Sequence, residues 1–222
     1  MALDSYHSQE ILSTRLKNFS IVLNFILGGI MKIIFRHLYN KCISIYKALL
    51  LKNIPNIKTH LTLEEKYLLH TSISHNSICV EIGSYLGASS CYIAASKNCQ
   101  KLYCIDTWAN EGMSEGLRDT FDEFIINTKQ FQNKIITLRG KSYDIGKNFS
   151  QNIDFLFIDG DHSYDGVKKD IEIWLPKLRS NGILMMHDCG WATGVQKVII
   201  EDVLSIMKKY QYTPNMFIGV KK

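Results

Sequence analysis

A single acidic residue inside an apolar strand, followed at once by a glycine turn, constrains this chain more than any other feature. Residues 78–95 read Ile-Cys-Val-Glu-Ile-Gly-Ser-Tyr-Leu-Gly-Ala-Ser-Ser-Cys-Tyr-Ile-Ala-Ala. The run Ile78 to Ile82 has the length and β-branched content of a buried strand, and it breaks at Gly83 into a turn bounded by Gly87. The small residues that follow suit a helix packed closely on a sheet. Strand, glycine turn and helix together form an anion cradle, because backbone N–H groups and the helix dipole converge above the turn. Gly83 and Gly87 do not have the Gly-x-Gly-x-x-Gly spacing of the dinucleotide fingerprint, so the turn by itself is an ordinary α/β feature. Glu81 makes it more than that, since a carboxylate in an apolar strand is costly unless something uses it.

A second strand, Lys101 to Ile105, ends at Asp106, 25 residues after Glu81. That spacing fits one βαβ unit, in which an acid at the tip of the second strand accepts hydrogen bonds from ribose hydroxyls. A helix cap or turn is the competing role for Asp106. The fold class that follows is α/β: a doubly wound, mostly parallel Rossmann-like sheet with an N-terminal helical extension. A helix from about Thr62, with Glu64 and Glu65 in its first turn, leads into the first strand. Beyond Asp106 come Thr107-Trp108, a polar loop over 110–116, and a helix expected over 117–129 with Phe121, Phe124 and Ile125 facing inward. Trp108 has two candidate roles, cover for a purine ring or simple packing. A third strand, Ile135 to Arg139, ends near Ser142, a candidate for an adenine edge or a surface turn.

The stretch richest in chemistry is 153–188. The strand Ile153 to Ile158 ends in Asp159-Gly160-Asp161-His162-Ser163-Tyr164, and the strand Ile183 to Met186 ends at His187-Asp188. Parallel neighbours would deliver all five ionisable groups to one carboxyl-terminal edge, where doubly wound folds place their ligands. Asp159, His187 and Asp188 are the candidate ligands of a divalent cation, Mg²⁺ or, with the imidazole, Mn²⁺. Adjacent residues of a regular strand face opposite ways, so His187 and Asp188 can share a metal only where the strand has ended. His162 is the candidate general base and Asp161 the residue that orients it.

Charge becomes informative once divided. The first 60 residues hold eight Lys/Arg against Asp4 and Glu10, a net of +6, whereas the remainder is nearly neutral at −1. This balance argues against a basic catalytic face for nucleic acid and for a separate role for the N-terminus. The uncharged window Asn18 to Met31 is too short to span a bilayer, and no small-residue cleavage site follows it. Ile30, Ile34, Leu38, Ile45 and Leu49 fall near helical spacing, with Lys32, Arg36, Asn40 and Lys47 on another face. Over residues 19–51 three roles stay open: a peripheral membrane helix, a homo-oligomer or partner helix, and a helix packed on its own domain. Six cysteines without a Cys-x-x-Cys pair read as core thiols of a reducing compartment. The expectation is a cytoplasmic protein, with contact at the inner face of the membrane left open. Residues 1–58 are expected to form the extension and linker, and 59–222 the catalytic domain.

Three motifs in combination, Val80-Glu-Ile-Gly-Ser-Tyr-Leu-Gly-Ala-Ser89, Tyr103-Cys-Ile-Asp-Thr-Trp108 and Phe157-Ile-Asp-Gly-Asp-His-Ser-Tyr-Asp-Gly166, followed by Leu184-Met-Met-His-Asp188, carry a resemblance. Residues 60–222 resemble the class I S-adenosylmethionine-dependent methyltransferases, and most of all the small sugar and glycan O-methyltransferases similar to macrolide-sugar and rhamnosyl enzymes. The resemblance implies S-adenosylmethionine as cofactor and methyl transfer to a hydroxyl of a small-molecule or glycan acceptor. It implies that Glu81, Gly83, Ser84, Tyr85, Gly87 and Ser89 surround the methionine end of the cofactor. Asp106 would bind the ribose, and Thr107, Trp108, Ser142 and Asp159 are the remaining candidate cofactor residues. Metal-dependent members carry an acid where this chain has His187. The family also ends in two antiparallel strands, whereas here a helix is expected over 194–209 with only a short hairpin ending in Met216 to Val220 after it. A nucleotide-cofactor oxidoreductase on a similar sheet and an inactive membrane-associated scaffold are the alternative functions.

Overall fold

A computed structural model describes residues 29–111 and 116–222. The chain divides into two compact units at Lys52/Asn53. Of the N-terminal expectations, the segment from Asn18 to Gly28 lies outside the described residues, as do residues 112–115 of the polar loop. The first unit carries helix α1, Gly29–Leu51. No described helix is long and apolar enough to cross a membrane.

The second unit is built on a seven-stranded sheet of order β3-β2-β1-β4-β5-β7-β6. Its parallel part comprises β1 (Ser77–Ile82), β2 (Cys99–Asp106), β3 (Ile135–Arg139), β4 (Ile153–Ile158) and β5 (Leu178–His187). The helices in chain order are α2 (Leu63–Thr71), α3 (Ala88–Ala95), α4 (Phe121–Thr128), α5 (Ser142–Asn148), α6 (Tyr164–Trp174) and α7 (Thr193–Val198). The two-residue period of β1 explains its composition. Val80 and Ile82 join the core with Ile105, Leu156, Ile158, Leu184 and Met186, onto which Val167, Ile171 and Trp174 of α6 pack. Glu81 faces the other way, toward α3, whose Ser90 hydroxyl donates to it.

Sequence and structure part company at three places. First, β6 (Met207–Tyr212) and β7 (Met216–Lys221) are two full antiparallel strands, with β7 paired to β5 and β6 to β7. The expected helix over 194–209 instead stops at Val198, continues through a π turn, Ile199–Val203, and a 3₁₀ turn, Leu204–Ile206, and gives way to strand. Outside Met207, β6 is polar and exposed, as an edge strand can be, so it carries no apolar alternation to read. Second, α4 starts at Phe121 rather than 117, and Ile125 is exposed while Phe124 is fully buried. Third, β5 begins at Leu178, ahead of the expected start at Ile183, and its pairing with β4 carries an irregularity before Ile183.

The carboxyl ends of the strands are held level by hydrogen bonds that continue past the ladder: Gly83 N–H to Ile105 O and Asp159 N–H to Ile82 O, both 2.9 Å, and Gly140 N–H to Asp106 O, 2.9 Å. These bonds bring the β1 turn so close to the β4 tip that a β-carbon on Gly83 would collide with the Asp159 carbonyl, and Gly83 sits at φ +86°. Only glycine meets both demands. Gly83→Ala is therefore expected to cost about 3 kcal/mol, the sum of a left-handed alanine and an overpacked backbone contact, read as a lowered urea midpoint.

Candidate active site

The order β2-β1-β4 contains the reversal of strand direction in sequence at which doubly wound sheets open a crevice. The tips of β1, β2, β4 and β5 deliver the Gly83 turn, Asp106, Asp159 and His187-Asp188 to that one edge. All the candidate residues from these four strands thus lie on one side of the sheet.

On the β1–β2 half, Asp106 accepts hydrogen bonds from the amides of Tyr85 (2.8 Å) and Trp108 (2.7 Å), one on each carboxylate oxygen. Burial raises its pKa against the pull of those amides. Each oxygen keeps a further acceptor direction. Glu81 is fully buried; one oxygen accepts from the hydroxyls of Ser84 (2.7 Å) and Ser90, while Oε1 has no hydrogen-bond partner among the described residues. Burial pushes its pKa up, opposed by the serine hydroxyls. Trp108 has a packing role. Its ring is wholly buried against Phe121 and Phe124, and its Nε1 donates to Tyr85 O at 2.9 Å, so it braces the glycine turn and offers no free face. Ser142 opens α5 and donates to Asp170, a buried acid raised to about 6 by desolvation against that hydrogen bond. The Thr107 hydroxyl accepts the Ala109 amide at 3.3 Å.

On the β4–β5 half the geometry is denser. β5 ends at His187, and Asp188 has φ 58°, so the chain has left the strand and both side chains reach the same edge. His187 Nδ1 lies 3.2 Å from Asp159 Oδ1 and 3.3 Å from Asp188 Oδ1, and Nε2 lies 3.7 Å from Glu65 Oε1. Burial opposes charge on this ring, but hydrogen bonds to Asp159, Asp188 and Glu65 outweigh it and push the pKa up to about 12. The raised pKa favours an imidazolium whose Nδ1 donates to Asp159, while Nε2 stands 3.4 Å from Asn215 Nδ2. The trio whose donor atoms fall within 4.8 Å of one another is Asp159, His162 and Asp188, so His162 takes the place expected for His187 in a candidate cation site. A cavity of about 10 Å³, the size of one water, is lined by Asp159, Gly160, Asp161, His162 and His187 among others.

His162 Nε2 is 2.9 Å from Asp188 Oδ2. That bond raises the His162 pKa over the opposing effect of burial. The orienting acid is therefore Asp188 and not Asp161, whose Oδ1 instead accepts the Ser163 amide at 2.8 Å and shapes the entry to α6. Asp188 Oδ1 also accepts from Trp191 Nε1 (2.7 Å) and Asn215 Nδ2 (2.8 Å). Burial alone would raise the Asp188 pKa; hydrogen bonds from His162, His187 and Asn215 hold it far below the usual carboxylate range. Trp191 is 61% exposed, with its ring edge-on to His162 at 5.2 Å. Gly194 lets α7 abut this loop, since a β-carbon there would meet His162 O and Tyr164 N.

Two members of this cluster were missed as functional residues. Glu65 reads in sequence as a helix-start acid, and it is one: Oε2 accepts the Thr62 amide at 2.8 Å to close a capping box. Its other oxygen faces His187. Asn215 reads as a turn residue, and only the β6–β7 turn brings it to Asp188.

Residues 80–189 match a family described as a methyltransferase domain. An uncharacterized protein of Acanthamoeba polyphaga mimivirus is 28% identical over 146 residues, which cover 62% of this chain and 64% of that protein. The chain thus spans a little under two thirds of that relative's length. Among solved structures, the O-methyltransferase NovP aligns with TM-score 0.61 at 12% identity, over 75% of this chain and 83% of its own. The O-methyltransferase TomG from Streptomyces achromogenes, in complex with S-adenosylmethionine, aligns with TM-score 0.58 at 13% identity, over 82% and 96%.

The fold is the class I methyltransferase fold.

Within that methyltransferase fold, the imidazolium of His187 fixes a pH signature. The folded pKa stands above the ordinary histidine value of about 6.5, so its contribution to stability is complete below that value and is lost as pH rises toward 12. For Asp188, depressed in the fold, the contribution is present above about pH 4 and lost as pH falls. Urea unfolding between about pH 7 and pH 9 should show stability falling by about 1.4 kcal/mol per pH unit more in the native protein than in His187→Gln.

Proposed function

We propose that the second unit transfers a methyl group from S-adenosylmethionine to a hydroxyl of a sugar-bearing acceptor, with His162 as general base and Asp188 as the residue that holds it. The observation that carries this reading is the His162–Asp188 pair, 2.9 Å apart, on the same sheet edge as the Gly83 turn. The residues fit the cofactor. An orphaned buried oxygen of Glu81 lies under the turn, and Asp106 keeps acceptor directions open at the tip of β2. That set suits a nucleoside with hydroxyls to donate and an amino-acid end to neutralise. Gly83, Ser84, Tyr85, Gly87 and Ser89 would hold the methionine end, and Asp106 with Thr107 the ribose. Trp108 would serve by bracing the turn, and Ser142 by ordering α5. When bound, the cofactor supplies a methyl group on a sulfonium that already carries its leaving group.

The protein's own contribution is positioning and one proton transfer. With Nε2 donating to Asp188, the ring is fixed in the tautomer that leaves Nδ1 to accept the acceptor hydroxyl's proton. Asp188 then stabilises the imidazolium that results. Asp188 is itself held by Trp191 and Asn215, so the base sits in a fixed orientation. The exposed indole of Trp191 beside His162 offers an apolar platform on which a sugar ring can lie, which favours a glycosyl acceptor over a charged one. Asp159, His162 and Asp188 would alternatively hold a divalent cation, which would supply Lewis acidity to the acceptor oxygen.

Radiolabelled cofactor incubated with a panel of glycosides, with and without chelator, tests the reading. Label is expected in a glycoside hydroxyl and not in an amine or nucleic acid. His162→Ala is expected to lower kcat by about 10² to 10⁴-fold while cofactor affinity by calorimetry stays within about twofold. Loss of affinity with normal turnover at saturating cofactor would reverse the roles. Turnover abolished by chelator and restored by Mg²⁺ or Mn²⁺ would transfer His162 from base to ligand.

A further inference from the structure

Helix α1 is not explained by methyl transfer. Its 23 residues place Ile34, Phe35, Leu38, Tyr39, Ile45, Tyr46 and Leu49 along one half of the cylinder, with Lys32, Arg36, Asn40, Ser44 and Lys47 on the other, where Ile33 is the apolar exception, and Lys41 at the border between the two. The large apolar side chains are exposed, with Leu49 at 59%, Tyr46 at 52% and Leu38 at 51%. Such a density of exposed apolar residues signals an interaction surface.

The charge of the segment selects the partner. No acidic residue occurs between Glu10 and Glu64, while eight Lys and Arg fall in that interval. A second copy of α1 would set like charges side by side with no acid to offset them, against the charge pairing that coiled-coil association relies on. A nucleic acid would engage the cations and leave the apolar half in water. An anionic bilayer surface meets both requirements, taking the apolar half into the acyl boundary and the cations among the headgroups. No described helix is long and apolar enough to cross.

We propose that α1 lies in the plane of an anionic lipid surface and holds the chain there. The helix is then an interfacial anchor independent of catalysis.

Flotation of the full-length protein with vesicles tests this. On vesicles of phosphatidylcholine mixed with phosphatidylglycerol the protein is expected to float, with a partition coefficient about tenfold or more above that on phosphatidylcholine alone. Added salt should release it. Lys32→Gln with Arg36→Gln and Lys41→Gln should reduce binding to the anionic vesicles about tenfold or more, and Leu38→Asp with Ile45→Asp should abolish it. Each variant's cofactor affinity, expected to match the native chain, verifies that the second unit is folded. Equal binding to both vesicle types, binding that survives both sets of substitutions, or a concentration-dependent dimer with no vesicle binding would overturn the proposal.

Discussion

A protonated imidazole set among carboxylates is the interaction on which this sheet edge depends. Glu65, Asp159 and Asp188 arrive from α2, the tip of β4 and the loop after β5, and His187 lies within 3.7 Å of all three. Carboxylates this close could not stay ionised in a buried site without a cation between them, because like charges and desolvation would each drive protons on. His187 supplies that cation from within the chain. The buried Asp159 nevertheless has a raised pKa, its desolvation outweighing the His187 hydrogen bond, so the compensation is uneven. Asp188 receives the larger share and remains a carboxylate able to hold His162. The internal cation thus sets the charge state of the residue that orients the candidate base.

The same cluster ties distant parts of the chain together. Glu65 belongs to the helix that opens the second unit, and Asn215 to the hairpin that completes its sheet. Breaking a buried ion pair by removing one partner is costly because the other is left uncompensated. The antiparallel hairpin is therefore part of the site as well as of the sheet. β7 pairs with β5 up to His187 opposite Met216, which places Asn215 one residue beyond the last pair and within reach of Asp188.

The parallel half of the fold was legible because its signals are local. β1 and β4 are short apolar runs ending in Gly or Asp-Gly, and the acids at their tips mark strand ends by breaking the apolar pattern. Register then follows from the requirement that Glu81, Asp106, Asp159 and Asp188 stop at one edge. What the sequence could not express was pairing through space. A helix-start glutamate looks the same whether its second oxygen faces water or an imidazolium, and Asp161 is nearer to His162 in sequence than Asp188 is. Local chemistry consumed Asp161 in a turn with Ser163, which leaves the longer-range carboxylate to do the orienting. Trp108 followed the same logic: an aromatic at a strand tip near a crevice can cover a ligand, but its ring is wholly buried and packed against Phe121 and Phe124 of α4. β6 escaped because an exposed edge strand needs no apolar alternation.

The edge is divided into two halves of different electrostatic character. Around the β1 turn and Asp106, the polar groups are satisfied mainly by serine hydroxyls and backbone amides, and the raised acids there have no cationic partner among the described residues. Such a half can stabilise a ligand that brings its own positive charge, since an acid without a partner in the protein gains most from a cation that arrives from outside. Around Asp188 the reverse holds: a cation is built in as His187, the carboxylate is engaged by His162, Trp191 and Asn215, and its contact with His162 raises the pKa of that ring. A cationic ligand gains nothing by sitting against an imidazolium, so it is steered to the β1–β2 half. On the proposed reading, a neutral hydroxylated acceptor would lie between His162 and Trp191 without disturbing the charge balance.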